Sequence, residues 1–437
     1  MISRRSCAVA VVVGLALGLV VSAPAGAAPA PAEESAIHLA FAPISLAVTP
    51  PRLIPATLFG MHPGNNAASS PPRALAASWR LWDTNTMWPT LQPTRAGGFQ
   101  WSTLDAVVAR GRAQGVTDFL IPLGITPRWA AADSAPAGIY GESTTAAPPQ
   151  NDDDFRAYVT ALAQHVTTLT GTTWAFETWN EADLAPFFTG TPAQAARLTA
   201  IADRAAKSVN PLITTVSASV TTRRGIKRDG FTPLYLRALA AERGFGGRHW
   251  PVDAWGVHPY PNGAAGPEAA AAGVTLFKQV LAREGAPARP LWNTEFNFGV
   301  AGPGTIPHTS FDPQAGQYFA RAYLDSVRLG VARVYPYQWA PAGSYLGVTL
   351  FNDTAGTKAL ITLRGWLAGS RLVSCAGAVL HTCQFTRGRT SFRVLWRDSS
   401  TSLVSLGRVT RVCPATGAAC FTRTRPLRVG ATPVRLS

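Results

Sequence analysis

The sequence predicts an α/β fold: a (β/α)8 TIM barrel followed by a C-terminal β-sandwich domain. Three observations carry that reading. Eight short apolar runs recur between residues 55 and 340, amphipathic stretches with helical spacing separate them, and polar residues collect at the C-terminal ends of the runs. The runs are 56–62, 78–83, 118–124, 174–183, 213–220, 253–260, 290–299 and 333–339. Near-continuous apolar runs of this length suit parallel strands covered on both faces.

The gaps read as helices. Residues 101–115 place Leu104, Val107, Val108 and Gly111 on one face, and 151–166 place Phe155, Tyr158, Val159 and Leu162 at the same spacing. Further helical patterns cover 191–210, 232–245, 268–285, 313–330 and 357–367. Asn151 followed by Asp152, Asp153 and Asp154 is a cap with acids in the first turn, where unsatisfied N–H groups favour negative charge. The same three aspartates also admit a metal-cluster reading, which the helix start outweighs. Gly330 is a natural helix stop. A doubly wound open sheet is the rival architecture, but no glycine-rich phosphate turn follows the first strand.

Beyond residue 370 helical periodicity ends. Short alternating runs at 391–396, 403–406 and 433–436 are divided by Gly, Asp-Ser-Ser and Pro-Ala-Thr-Gly turns. The expected organisation is therefore a barrel over 53–369 and a β-sandwich over 370–437. Residues 28–52 form a spacer whose end, within 38–52, can add a strand to the sandwich.

Residues 1–27 have the form of a secretory signal. Arg4 and Arg5 precede an apolar core from Ala8 to Val21, and Ala25-Gly26-Ala27 is a small-residue cleavage site. That implies a secreted or envelope-associated bacterial protein with no transmembrane segment in the mature chain. Four cysteines remain after the leader: Cys375, Cys383, Cys413 and Cys420. An even count in an exported chain suggests two disulfides, and the two local pairs are the preferred connectivity. A zinc site is disfavoured by the wide spacings and the lack of a completing His.

The formal net charge is +15, nearly all of it from Arg rather than Lys. A basic exported protein is attracted to anionic envelope glycans. No basic stripe interleaved with aromatics appears, so nucleic acid is not an expected partner.

Two strings hold the chemistry. WAFETWNEADL contains Asn180-Glu181, and PLWNTEFNFG contains Glu295. Each Glu follows a run that should be buried, and buried carboxylates need a partner or a task. On strands four and seven of a barrel they face each other across the C-terminal mouth. Such a pair, about 5–5.5 Å apart, cleaves a glycosidic bond by double displacement. Glu295 would attack the anomeric carbon. Glu181 would protonate the leaving oxygen and then activate water. Two carboxylates require no metal or organic cofactor for this work. Other polar strand ends, His62, Asp83, His258 with Tyr260, and Trp339, fall at the same rim. Arg80 could steady the nucleophile or Asp83 could bind a sugar hydroxyl; alternation along a strand forbids assuming that both point inward.

The strings ETWNEADL, GVHPYP, NTEFNFG and YQWAP resemble the retaining glycoside hydrolases of clan A, closest in flavour to family 39, over roughly residues 50–437. The resemblance implies a barrel with an attached β-sandwich, Glu181 as acid/base and Glu295 as nucleophile. It implies Asn180 as partner of the sugar 2-hydroxyl, His258 and Tyr260 as shapers of the subsite, and Trp339 as the floor beneath the sugar ring. The first two strand ends, Gly60-Met61-His62 and Arg80-Leu81-Trp82-Asp83, match only loosely, which leaves the sugar open. Loops 63–72, 131–149 and 301–311 are long and rich in Pro, Gly and Ser, as walls of a cleft are. A catalytically silent glycan-binding protein and a transglycosylase are the alternatives on the same fold.

Overall fold

The computed structural model describes residues 46–437, apart from 66–68, 133, 264, 302–309, 342–344, 406–410 and 424–425. The leader and most of the spacer lie outside the described residues.

The apolar runs form parallel strands in two sheets. Gly60–Met61, Ser78–Arg80, Asp118–Pro122, Thr173–Glu177 and Thr214–Val216 make one, in chain order. Val220–Thr221, Trp255–His258, Leu291–Phe296 and Val331–Pro336 make the other. Single parallel bridges join the sheets at both edges, Val216 to Ala254 and Phe59 to Val334. The fifth run is broken at Ser217–Ser219 and contributes one short strand to each sheet.

Strand alternation divides the core in two. Leu120, Ala175, Val216, Ala254, Trp292 and Tyr335, from runs three to eight, pack on one another. Their neighbours Phe119, Ile121, Phe176, Val257 and Val334 belong instead to the large cluster that includes the helices. One face of the strands thus meets the other strands' side chains, and the other face meets the helices.

The helices form where the pattern places them: Ser102–Ala113, Asp152–Thr168, Pro192–Val209, Phe231–Ala241, Pro267–Arg283, Ala315–Arg328 and Ala355–Leu367. Asn151 caps the second, its side chain accepting from the Asp153 N–H at 2.8 Å. Asp152, Asp153 and Asp154 each pair with a different arginine, Arg197, Arg156 and Arg95, so the helix-start reading accounts for all three. Thr191 and Gln194 make a reciprocal capping box. Gly330 takes a φ of 81°, which a side chain would strain, at the stop after Ala315–Arg328.

The C-terminal residues form a six-stranded antiparallel sheet that begins with Leu46–Leu53, paired to Arg371–Ala376. A two-stranded ribbon, Ser402–Val404 with Leu427–Val429, packs on it through Leu395, Val404, Val412, Leu427, Val429, Val434 and Leu436. Both local disulfides form, Cys375–Cys383 and Cys413–Cys420. The first staples Arg371–Ala376 to Leu380–Arg387, where the two cysteines are direct partners in the ladder. Among the described residues no helix is long and apolar enough to cross a membrane.

Candidate active site

Arg80, the last residue of its strand, is fully buried and organises the site. Its three nitrogens serve three acceptors from two other runs. Nε donates to Glu177 Oε2 at 2.6 Å, Nη1 to Glu295 Oε2 at 2.8 Å, and Nη2 to Asn180 Oδ1 at 2.7 Å. The planar guanidinium suits such a fork, and each bond is charge-assisted or nearly so. Burial alone would weaken the Arg80 charge, but Glu177 and Glu295 raise its pKa overall.

Glu177, not Glu181, ends the fourth strand. The chain then turns through Thr178, Trp179 and Asn180, and Glu181 adopts a φ of 43°. Its backbone N–H donates to Ser219 Oγ at 3.2 Å, which ties this turn to the fifth run. The Asp183 carboxylate accepts from the Thr221 N–H and hydroxyl, a second tie. The Glu181 side chain is aimed at the site by His258, whose Nδ1 donates to Oε1 at 3.1 Å. His258 Nε2 lies 3.8 Å from Glu177 Oε1, an ion-pair contact beyond hydrogen-bond reach.

Glu295 lies within Leu291–Phe296. Beside Arg80 on Oε2, it accepts the Tyr260 hydroxyl on Oε1 at 2.8 Å. One ligand atom each from Glu181, Glu295 and His258 lie within 4.8 Å of one another. Runs four, six and seven therefore converge on one point.

The electrostatics differ among the acids although two share Arg80. Burial would raise Glu177, but the Arg80 charge and the facing His258 hold it down at about 2. Burial raises Glu295, and the nearby Glu181 adds to that against the pull of His258, Arg80 and Tyr260. Burial would lower His258, but the Glu295 charge and the contacts with Glu177 and Glu181 outweigh it and lift it to about 9. Burial lowers His62 well below its ordinary range, with Arg80 adding to the effect, so its ring is neutral. Glu181, Glu295 and His258 could in principle hold a metal ion. In this arrangement both His258 nitrogens are turned to carboxylates, Nδ1 to Glu181 and Nε2 to Glu177.

The raised His258 has a thermodynamic consequence. Its folded-state pKa lies above the unfolded value near 6.5, so its contribution to stability is full below that value and is lost as pH rises through about 9. A His258→Gln variant is expected to show a flatter decline of melting temperature between pH 7 and 10, by an amount worth on the order of 2–3 kcal/mol. Parallel curves for the two proteins would contradict the raised value.

The other expected rim residues are placed as follows. His62 is buried and its Nε2 donates to the Thr294 carbonyl at 3.0 Å, so it supports the strand carrying Glu295. Asp83 reaches the site because the chain leaves the strand after Arg80 and turns at Asp83, with φ 56°; the Tyr337 hydroxyl donates to it. Arg80 and Asp83 thus both face the site, which alternation alone could not predict. Trp339 is a correction: it is fully buried, its indole N–H donates to Ser69 Oγ at 3.0 Å, and its ring packs on Phe351. No ring face remains for a sugar. The aromatic residues around Asp83 are instead Tyr337, Tyr140 and Trp82, which cluster with Phe187 and Ile125.

Sequence reasoning missed Glu177 and Tyr337. Glu177 stands in the string WAFETWNEADL, four residues before Glu181, and a second Glu in so apolar a run was the available signal. Tyr337 had no distinguishing signal within its apolar run.

Solved structures share this fold. A GH39 beta-xylosidase from Caulobacter crescentus matches with a TM-score of 0.63 at 15% identity, over 89% of this chain and 97% of that one. The GH39 enzyme from Xanthomonas axonopodis pv. citri matches at 0.59 and 15% identity, over 82% and 87%. The glycoside hydrolase family 30 subfamily 8 xylanase from Clostridium acetobutylicum matches at 0.58 and 14% identity, over 88% and 97%. No protein-family model and no curated protein matches the sequence. At such identities the likeness is one of fold.

Proposed function

We propose that the chain is a retaining glycoside hydrolase that cleaves O-glycosidic bonds of a poly- or oligosaccharide with Glu181 and Glu295. The observation that carries this reading is the facing pair of carboxylates from separate runs, one oxygen of each within 4.8 Å of the other, each held by different partners. A retaining pair stands about 5–5.5 Å apart, and an inverting pair about 6.5–9.5 Å apart, to leave room for water. Oxygens this close leave little room for a water between the two groups, which favours retention.

The partners fit separate roles. Glu295 sits between the Arg80 cation and the Tyr260 hydroxyl, which suits a carboxylate that attacks and then leaves. Glu181 sits against His258 on a turn outside the strand, which suits an acid that delivers a proton and later takes one from water. Two cations, Arg80 and His258, stand against three carboxyl groups. Asn180, held by Arg80, would bind a hydroxyl of the reacting sugar, where a hydrogen bond strengthens as oxocarbenium character develops.

The two parallel sheets bridged at both edges, and the inner cluster drawn from six runs, support closure as a (β/α)8 barrel with the site at its C-terminal mouth. The C-terminal sheet and ribbon read as the accompanying β-sandwich. The two disulfides fit an oxidising, extracytoplasmic compartment reached through the 1–27 leader.

The test is Glu181→Ala. On an aryl glycoside with a poor leaving group the variant should lose on the order of 10²–10⁴-fold in rate. On an activated aryl glycoside, whose leaving group needs no proton, added azide should take the place of the activated water, restore turnover and give a glycosyl azide of retained configuration. Inverted product, or no turnover of any glycoside by the wild type, would remove the reading.

A further inference from the structure

We propose that loop 222–230 forms a subsite for an anionic sugar residue on the leaving-group side of the cleft. This deepens, and rests on, the glycosidase reading. The loop reads TTRRGIKRDG from residue 221 and carries Arg223, Arg224, Lys227 and Arg228 against one acid, Asp229. Two tight turns build it. The Gly225 N–H donates to the Thr222 carbonyl, and the Gly230 N–H to the Lys227 carbonyl. The first turn sets Arg223 and Arg224 at its two corners, with Gly225 at φ 73°.

Its position relative to the chemistry is defined. The loop leaves Val220–Thr221, whose last residue pairs with His258, and the Thr222 N–H donates to the His258 carbonyl. The same stretch holds the Glu181 turn through Ser219 and Thr221. Glu181 protonates the departing oxygen, so the loop after Thr221 borders the departing sugar. The Arg223 guanidinium lies 4.8 Å from the centroid of the Tyr260 ring, and the Tyr260 hydroxyl is bonded to Glu295. Stacking on the ring pre-organises that cation beside the reacting centre.

The charge is also available. Arg223 is half-buried, while Lys227 and Arg228 are exposed. Among the described residues no carboxylate pairs with Arg223, Lys227 or Arg228. A neutral sugar would leave these cations with water alone. A carboxylate or a sulfate ester on the sugar would meet a forked donor already in place.

Titration calorimetry on the full chain tests this with a trigalacturonate, a neutral xylotriose and a sulfated chondroitin disaccharide. At least one anionic probe should bind about tenfold more tightly than the neutral one. The uronate and sulfate arms tell the two sources of charge apart. Arg223→Gln should remove that preference, Arg223→Lys should keep most of it, and Arg389→Gln, on an exposed hairpin, should leave it unchanged. A purely structural Arg223 would change turnover without changing the neutral-to-anionic ratio of Kd. Equal Kd for neutral and anionic probes, no anionic binding, or an equal loss in Arg389→Gln overturns the proposal. Anion preference without turnover of any glycoside would instead sink the glycosidase reading and leave the loop's anion affinity standing.

Discussion

Glu295→Gln is expected to lower kcat/KM on an activated aryl glycoside by on the order of 10⁴-fold or more, with the fold intact. The amide keeps the size and planarity of the carboxylate. Its oxygen can still accept from Arg80 Nη1, and its nitrogen can donate to the Tyr260 oxygen in place of the bond now made at 2.8 Å. What it cannot do is attack an anomeric carbon. Stability should change by no more than about 1–2 kcal/mol, because one of three crowded carboxyl groups is removed while Glu177 still faces Arg80.

The competing nucleophile is Glu177, and its geometry argues against it. It is fully buried, with Oε2 on Arg80 and Oε1 accepting from the Thr294 hydroxyl at 2.8 Å. Both carboxylates have both oxygens bonded, but Glu177 has no exposed surface whereas Glu295 keeps 6 %, and the pKa of Glu177 near 2 marks a strongly held anion and a weak base. Incubating the wild type with an activated 2-fluoro glycoside, followed by peptide mass mapping, should place the label on Glu295. A label on Glu177, or a Glu295→Gln enzyme keeping more than about a hundredth of its activity, would reverse the assignment.

What the sequence made legible follows from where periodicity is strong. Each helix announced itself through its buried face, as Phe155, Tyr158, Val159 and Leu162 do over Asp152–Thr168. Glu181 and Glu295 were visible because a carboxylate after an apolar run is costly unless it is used. Strand ends were less legible. The fourth run looked continuous to Asp183, but its strand stops at Glu177, since a change of backbone conformation leaves no trace in hydropathy. The left-handed residues Asp83 and Glu181 are such changes, and neither is a glycine that would have flagged the turn. Trp339 was misplaced for a related reason. A tryptophan near a rim suits a sugar platform and a buried wedge equally, and only the partner of its N–H, Ser69, decides between them. Glu177 was hidden by the company it keeps: its partners Arg80, Thr294 and His258 come from three other runs.

The same long-range partnership makes Arg80 the position whose loss should cost the most stability. Arg80→Met is expected to destabilise the protein by roughly 3–5 kcal/mol, because it strands buried charge. Glu177 would keep only the Thr294 hydroxyl and the distant His258, while Glu295 and Asn180 would each lose a donor. Lysine cannot substitute, since a single ammonium cannot span three acceptors held in a fork. The second variant, Arg80→Met with Glu177→Gln, separates charge from packing. If the cost is an orphaned anion, removing it should recover about 1–3 kcal/mol in urea denaturation. A single variant losing less than about 1 kcal/mol, or a double variant no more stable than the single, would show that Arg80 is not balancing Glu177. Activity should stay low in both variants, because neither restores the donor to Glu295. Recovery of stability without recovery of rate would mean that the buried arginine serves mainly to aim Glu295 and Asn180, with Glu177 as the counter-charge that lets a cation sit there at all.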